Sequence, residues 1–442
     1  MRNDHQGWVT GLAALAVCAA LMFAGDASAY TMKTLYNFCS QDSCADGIAP
    51  NMLTMDQAGD LYGSTSDGGE RGGRGVIFEL IPNADKSAWT YDVLYRFCKG
   101  CGGRAGGKLV LDTAGNLYGV TQHGGHKQGT IFELSPNAGR TSWTLTQLHA
   151  FCKEFRCPDG QRQINALTYA GETAGALYDG TSPLYGTTSD GGSGNGVVFQ
   201  LAPRNGKFHF KIVYDFCPAP ECDGGANSYA PAYVDPHGNL FVTTVHSLSD
   251  GGGIVELAPG PHDTFTATTL HTFCTVPLGI CPDGNYPTAD LIPDAQEGLY
   301  GTTQLGGSNN QGVVYKLVPD GQASQYSILY NFCPTAVCDD GRAPSAGPLT
   351  MDSAGNLFGT TKWGGVHFDS SVVSGGGTVF ELNGTRQTLY DFCAAANCSD
   401  GQEPTGGLVM DAQGNLFGTT NSGGRTARKA PRGAGTIFEL TP

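Results

Sequence analysis

A phenylalanine followed directly by a cysteine recurs seven times, at Phe38, Phe97, Phe151, Phe216, Phe273, Phe332 and Phe392, with gaps of 59, 54, 65, 57, 59 and 60 residues. A second cysteine follows within seven residues each time. Self-similarity at such a period means one supersecondary unit used repeatedly, so the length of 442 residues is no guide to the number of domains. The clearest copy runs from Tyr36-Asn37-Phe38-Cys39 through Asp46-Gly47, Leu53, Asp56, Leu61-Tyr62-Gly63-Ser64-Thr65 and Gly68-Gly69 to Val76-Ile77-Phe78-Glu79-Leu80.

Each unit holds four short runs of β-branched and aromatic residues bounded by Gly, Asp, Asn or Pro, the pattern of strands. In the last copies these are Leu408–Asp411, Leu416–Thr420, Thr436–Leu440 and, from the preceding junction, Thr388–Phe392. Asp411–Asn415 reads as a tight hairpin turn, in which Gly414 supplies a positive φ. The same turn is expected at Asp56–Asp60, Asp112–Asn116, Asp235–Asn239 and Asp352–Asn356. Four antiparallel strands repeated seven times predict an all-β, seven-bladed β-propeller. A solenoid would need caps at both ends. Here Thr34–Phe38 is a fourth-type strand with no unit before it, and the last unit stops at Leu440 without its fourth strand. The two deficits are complementary, and the N-terminal strand is expected to join the last blade and close the ring.

Composition agrees. With 66 Gly and 15% charged residues the chain is no helical bundle, and 40% hydrophobic residues are enough for a packed core. A net charge of −15 argues against nucleic acid as a partner.

Residues 1–29 read as a secretory signal peptide: Arg2, an apolar run from Val9 to Phe23, and the small-x-small site Ala27-Ser28-Ala29. The run is short for a membrane span, and Val17 is too bulky for Cys18 to mark a lipoprotein anchor. The expected product is residues 30–442, one propeller domain, secreted or periplasmic, monomeric, and with no stable membrane insertion after cleavage. Fourteen cysteines remain in it, as seven close pairs: Cys39 with Cys44, Cys98 with Cys101, Cys152 with Cys157, Cys217 with Cys222, Cys274 with Cys281, Cys333 with Cys338 and Cys393 with Cys398. In an oxidising compartment these read as seven local disulfides, with zinc as the rival.

The strings Asp411–Gly424 with Gly433–Leu440, and Leu389–Leu408, resemble the bacterial GloVer tandem-repeat family, described as "choice-of-anchor" proteins. The resemblance covers residues 34–442 and implies an exported, repeat-built surface or secreted protein. It carries over no functional residues. No sorting tail follows Leu440, which favours release over anchoring.

Candidate sites follow from the geometry of a four-stranded blade. The stapled connections and the Gly-Gly connections emerge on one face, the expected binding surface. An Asp-Gly after the second cysteine gives a ring of carboxylates, Asp46, Asp159, Asp223, Asp283, Asp340 and Asp400, which reads either as a ligand ring or as turn chemistry. The Gly-Gly stretches lack the helix and Lys-Ser/Thr of a phosphate loop. Cys98 and Cys101 with His123 and His126 have the residue types of a zinc site, against a disulfide default. The series Glu79, Glu133, Glu256, Glu381 and Glu439 stands in register, yet rotation between blades keeps its members from converging. Two stretches break the repeat: the insertion Gly171–Pro183, and the sixth-unit loop from Lys362-Trp363 to Gly377 with His367 and Asp369. The reading is an exported binding or scaffolding propeller, leaning away from catalysis and without a cofactor, meeting an extracellular protein, glycan or envelope component. The alternative is a polysaccharide hydrolase or lyase that uses the non-repeated loops.

Overall fold

A computed structural model of the chain describes residues 30–442 apart from 70–72, 99–101, 165, 217–224, 247–250, 276–280, 322, 336, 345–346 and 368–374. The expected signal peptide lies outside the described residues, and so do Cys101, Cys217, Cys222, Asp223 and Asp369. Seven antiparallel sheets follow one another along the chain. The chain is a seven-bladed β-propeller, and its blades are numbered here in chain order from residue 48. Blade one shows the plan: an inner strand in two pieces, Ile48–Pro50 and Thr54–Met55, then Leu61–Asp67, Val76–Pro82 and, at the rim, Trp89–Arg96.

Ring closure is as the sequence predicts. Thr31–Asn37 pairs antiparallel with Thr436–Thr441, from Thr31 opposite Thr441 to Asn37 opposite Thr436, and forms the rim strand of blade seven. The strand starts three residues earlier than its sequence pattern suggests. Next to it, Phe38 lies over Phe78 of blade one at 5.4 Å and 62°. One segment therefore completes the last blade and packs on the first.

The same contact recurs around the wheel. Phe97 meets Phe132, Phe151 meets Phe199, Phe332 meets Phe380 and Phe392 meets Phe438, all edge to face with centroids 5.1–5.7 Å apart. Each phenylalanine of the Phe-Cys pair ends one blade and fills the core of the next, and all seven are at most 1% exposed. An aromatic pair of this geometry adds about 0.5–1.5 kcal/mol beyond the area it buries.

The inner strand departs from its expected form. In blade seven Leu408–Asp411 is reduced to Val409–Met410, with a second piece, Gln402–Pro404, beyond a break. Near the axis the inner segments of neighbouring blades run close together: a Cβ on Gly347 of blade six would collide with the backbone nitrogen of Gly407 in blade seven. The break frees carbonyl groups, and threonines of the preceding blade take them up. Thr187 Oγ1 donates to Ala230 O at 2.7 Å and Thr419 Oγ1 to Asn51 O at 3.0 Å. The second threonine of the same motif works within its blade: Thr420 Oγ1 donates to Ser422 O at 2.9 Å and accepts from Thr436 N at 3.0 Å. Thr-Thr is thus a pair of backbone caps, one facing the next blade and one facing its own.

The glycine before those hydroxyl residues makes room for an aromatic ring. A Cβ on Gly63 would lie 2.5 Å from Cζ of Phe78, a residue with no exposed surface. Gly63→Ala is therefore expected to lower unfolding stability by about 1–3 kcal/mol. Gly139→Ala, in an open loop where the nearest contact of the added carbon is 3.8 Å away, should stay within about 0.5 kcal/mol of wild type. Denaturant titration of both variants checks the pair.

Candidate functional site: the stapled-loop face and the axial channel

Disulfides close the turn after five of the rim strands, at Cys39–Cys44, Cys152–Cys157, Cys274–Cys281, Cys333–Cys338 and Cys393–Cys398. The expected pair Cys217 with Cys222 falls outside the described residues, and so does Cys101, the expected partner of Cys98. Nine of the ten cysteines in the five described links have φ between +49° and +64°. A residue with a Cβ adopts that left-handed region only at a cost, and the covalent link holds it there. The second cysteine's carbonyl accepts from the Gly-Gly loop beside it: Gly192 N donates to Cys157 O at 3.0 Å, Gly365 N to Cys338 O at 3.0 Å and Gly424 N to Cys398 O at 2.8 Å. Stapled loops and Gly-Gly loops therefore do share one face.

The aspartates of the Asp-Gly pairs are clasps. Asp46 Oδ2 accepts from Tyr36 Oη at 2.8 Å, Ser40 N at 2.8 Å and Ser40 Oγ at 2.9 Å. Asp340 Oδ2 accepts from Tyr330 Oη at 2.8 Å, and Asp400 Oδ2 from Tyr390 Oη at 2.8 Å and Ala394 N at 3.0 Å. In two blades a histidine stands where the tyrosine does. His149 Nε2 lies 2.9 Å from Asp159 Oδ2, and His271 Nε2 lies 3.1 Å from Asp283 Oδ2. Three of the rings so held stack on the next blade's rim strand: Tyr36 on Tyr91 at 4.0 Å, His149 on Phe210 at 3.9 Å and His271 on Tyr326 at 4.0 Å. The glycine after the aspartate is equally determined, since φ at Gly47 is +105° and a Cβ there would lie 2.5 Å from Thr65. Five carboxylates of the expected ring are thus tied to their own loops, which is the turn reading of the motif.

Among the described residues, the other expected ones do not come together. Cys98 is disulfide-bonded, which removes the thiolate that a zinc site with His123 and His126 would need. His126 is exposed, and among the described residues no three His, Cys, Asp or Glu side chains form a metal-sized group. Glu79 is held by Tyr62 Oη at 2.6 Å and by Arg140 Nη2 of blade two at 2.9 Å. Glu133 and Glu381 accept from Ser135 and Asn383 beside them. The glutamate series stays dispersed over the blades.

Two features stand out from the repeat. The first is a set of apolar tips on the stapled-loop face. Phe155, inside the Cys152–Cys157 staple, is 90% exposed, Val337 in the Cys333–Cys338 staple 63%, and Val366 in the neighbouring Gly-Gly loop 56%. In blade six Trp363 lies beneath two cations, Lys362 at 4.7 Å and Arg342 at 5.8 Å from the ring centre. The second is a cavity of about 1140 Å³ on the axis, lined by the inner strands of all seven blades. Its wall carries Lys108, Asp290 and Glu172, the last from the blade-three insertion. Lys108 Nζ pairs with Glu172 Oε1 at 2.9 Å. Burial and the Glu172 charge push Asp290 up to about 8, against the pull of Lys108.

Lys108 and Asp290 both stand four residues before a hairpin aspartate, Asp112 and Asp294. The same register position holds Met52, Pro231, Pro348 and Gly407 in other units, so aligning the repeats on that aspartate would have exposed the two charges. Asp294 itself escapes the expected hairpin series because Glu297, at φ +65°, replaces the usual glycine there.

A family model for the Gloeobacter/Verrucomicrobia repeat matches residues 20–182 and 263–442. The chain belongs to that family. No curated protein sequence matches this family member. Its fold is similar to that of polysaccharide lyase Uly1, with a TM-score of 0.50 at 11% identity over 92% of each chain. PorZ, a surface component of the type-IX secretion system of Porphyromonas gingivalis, matches at TM-score 0.48 and 12% identity over 88% of this chain, which spans 46% of PorZ. An α-L-arabinanase of Penicillium chrysogenum matches at TM-score 0.45 and 12% identity, over 93% of this chain and 98% of the arabinanase. At these identities the likeness is one of fold.

The clasps have a definite pH signature. Hydrogen bonds from His149 and Cys152 N hold Asp159 below the usual carboxylate range against the effect of burial, and His271 and Cys274 N do the same for Asp283. A carboxylate lowered in the folded state contributes stability that is present above its unfolded pKa, about 4, and is lost as pH falls through the folded value. Asp159→Ala and Asp283→Ala should each cost about 1–3 kcal/mol at pH 7. Their deficit relative to wild type should shrink below about pH 4, read from denaturant midpoints across pH.

Proposed function

We propose that this protein is an exported binding scaffold that docks a protein partner on its stapled-loop face. One observation carries the reading: the disulfide-stiffened loops hold Phe155 and Val337 out in water, and the Gly-Gly loop bonded to the Cys333–Cys338 staple does the same with Val366. Burying such residues is favourable, and most so when the loop is already rigid, because little ordering entropy remains to be lost on binding. A protein suits these tips better than a glycan does. Sugars stack on aromatic faces, and of the three tips only Phe155 is aromatic, whereas aliphatic side chains complement apolar pockets. The commitment of the Asp-Gly carboxylates to internal clasps supports binding through side chains that the repeat does not fix. Export is part of the proposal and rests on the reading of residues 1–29 together with the disulfides. Among the described residues no helix is long and apolar enough to cross a membrane.

A photo-reactive amino acid placed at position 155 or 366 should give a cross-linked protein adduct of defined mass in the producing bacterium. The same probe at Ala58 or Ala354, both in hairpins on the opposite face, should give none. Phe155→Ser should weaken binding of the captured partner at least tenfold. Adducts on the hairpin face alone, unaltered binding by Phe155→Ser, or turnover of a polysaccharide by the purified protein would each overturn the proposal.

A further inference from the structure

The axial cavity is a second feature that the repeat does not account for. Its wall mixes polar groups with apolar side chains, among them Met55, Val110, Ile292 and Met351. Among the described residues five charged side chains line it: Lys108, Glu172, Asp290, Asp352 and Asp411. Asp352 and Asp411 are hairpin caps that accept from the backbone N–H groups two and four residues on. Asp411 also pairs with Lys86 at 2.8 Å. Lys108 and Glu172 neutralise each other at 2.9 Å. Asp290 is the remainder. Its Oδ1 is buried and has no hydrogen-bond partner among the described residues.

A buried carboxylate oxygen without a partner costs free energy that a bound donor would recover. The repeat could have placed an apolar residue there, as it does with Met52, Pro231 and Pro348 at the same register. The insertion that supplies Glu172 is also built into the channel. Tyr178 N donates to Leu111 O at 3.0 Å and Thr113 N to Tyr178 O at 3.1 Å, which fixes the insertion to blade two. With Lys108 paired to Glu172 and Asp411 to Lys86, and with Asp352 tied to its hairpin backbone, Asp290 is the described carboxyl group of the wall with a buried oxygen that no donor meets.

We infer that the axial channel is a binding site for an organic monocation, an ammonium or guanidinium group on an apolar stem, with Asp290 as its counter-ion and the Lys108–Glu172 pair set to keep Lys108 from taking that role. The stem lies against the aliphatic wall, and the cation donates to the unpartnered Asp290 oxygen. This site is independent of the stapled-loop face and stands whether or not a protein docks there.

The chemistry includes a proton. At pH 7 burial keeps Asp290 mainly protonated, since its value is about 8. A cation that pairs with the carboxylate favours the ionised form, so the carboxyl proton leaves to solvent as the ligand binds. At pH 9 the group is already ionised and no proton needs to leave.

Isothermal titration of the full-length protein with n-hexylammonium, in buffers of different ionisation enthalpy, reads both the affinity and the proton count. Binding should release about one proton at pH 7 and few at pH 9. Asp290→Asn should raise the Kd at least tenfold while thermal unfolding stays cooperative, and n-hexanol should bind at least tenfold more weakly than n-hexylammonium. The inference is overturned if n-hexylammonium does not bind, if n-hexanol binds as well, if Asp290→Asn binds like wild type, if the proton count is the same at both pH values, or if calcium ion displaces the amine.

Discussion

A buried phenylalanine at the end of each rim strand ties this molecule together. It belongs by sequence to one blade and by packing to the next, so no blade has a complete core alone. Phe38 does this at the seam, where its strand is also the hydrogen-bonded edge of blade seven. The motif residues around it serve the same junction. The Asp-Gly aspartate holds the tyrosine or histidine two positions before the phenylalanine, which in three junctions stacks on the neighbouring rim strand, and the disulfide keeps the turn in left-handed geometry. The inner threonines complete the arrangement by capping carbonyls across the blade boundary.

This division of labour separates what folds the protein from what is left for function. Phe-Cys, Asp-Gly, Gly-Thr-Thr and Gly-Gly each have a specific structural task, with a named partner. What has no such task sits where the repeat is broken: at the apolar tips of the staples in blades three and six, and on the channel wall in blades two, three and five. The two sets lie on different parts of the propeller and call for ligands of different chemistry.

Most of the architecture was legible in the sequence because the repeat is strict. The period, the four runs per unit and the complementary ends led to seven blades and a closed ring, and the stapled and Gly-Gly loops do meet on one face. The broken inner strand was not legible. Leu408–Asp411 has the composition of a continuous strand, and its shortening accompanies the close approach of blades six and seven at the axis, which no local pattern encodes. The aspartate ring was readable in two ways because Asp-Gly carries the same letters in a turn and in a ligand loop; what no letter carries is that Asp46, Asp340 and Asp400 each accept from a tyrosine ten residues away. Lys108 and Asp290 were hidden for another reason. They lie 182 residues apart in sequence, each resembles an ordinary charge beside a strand, and only rotation about the propeller axis brings their units to a common channel.

The account rests on the ring behaving as one cooperative body closed by residues 31–37. Native-state hydrogen exchange with and without that segment tests this most directly. Deleting residues 31–37 should strip amide protection from Thr436–Thr441, which loses its partner, and also from Gly253–Pro259 in blade four, far round the wheel. Loss confined to the last blade, with blade four as protected as before, would mean that the blades are stable in pairs like a solenoid and would contradict the account.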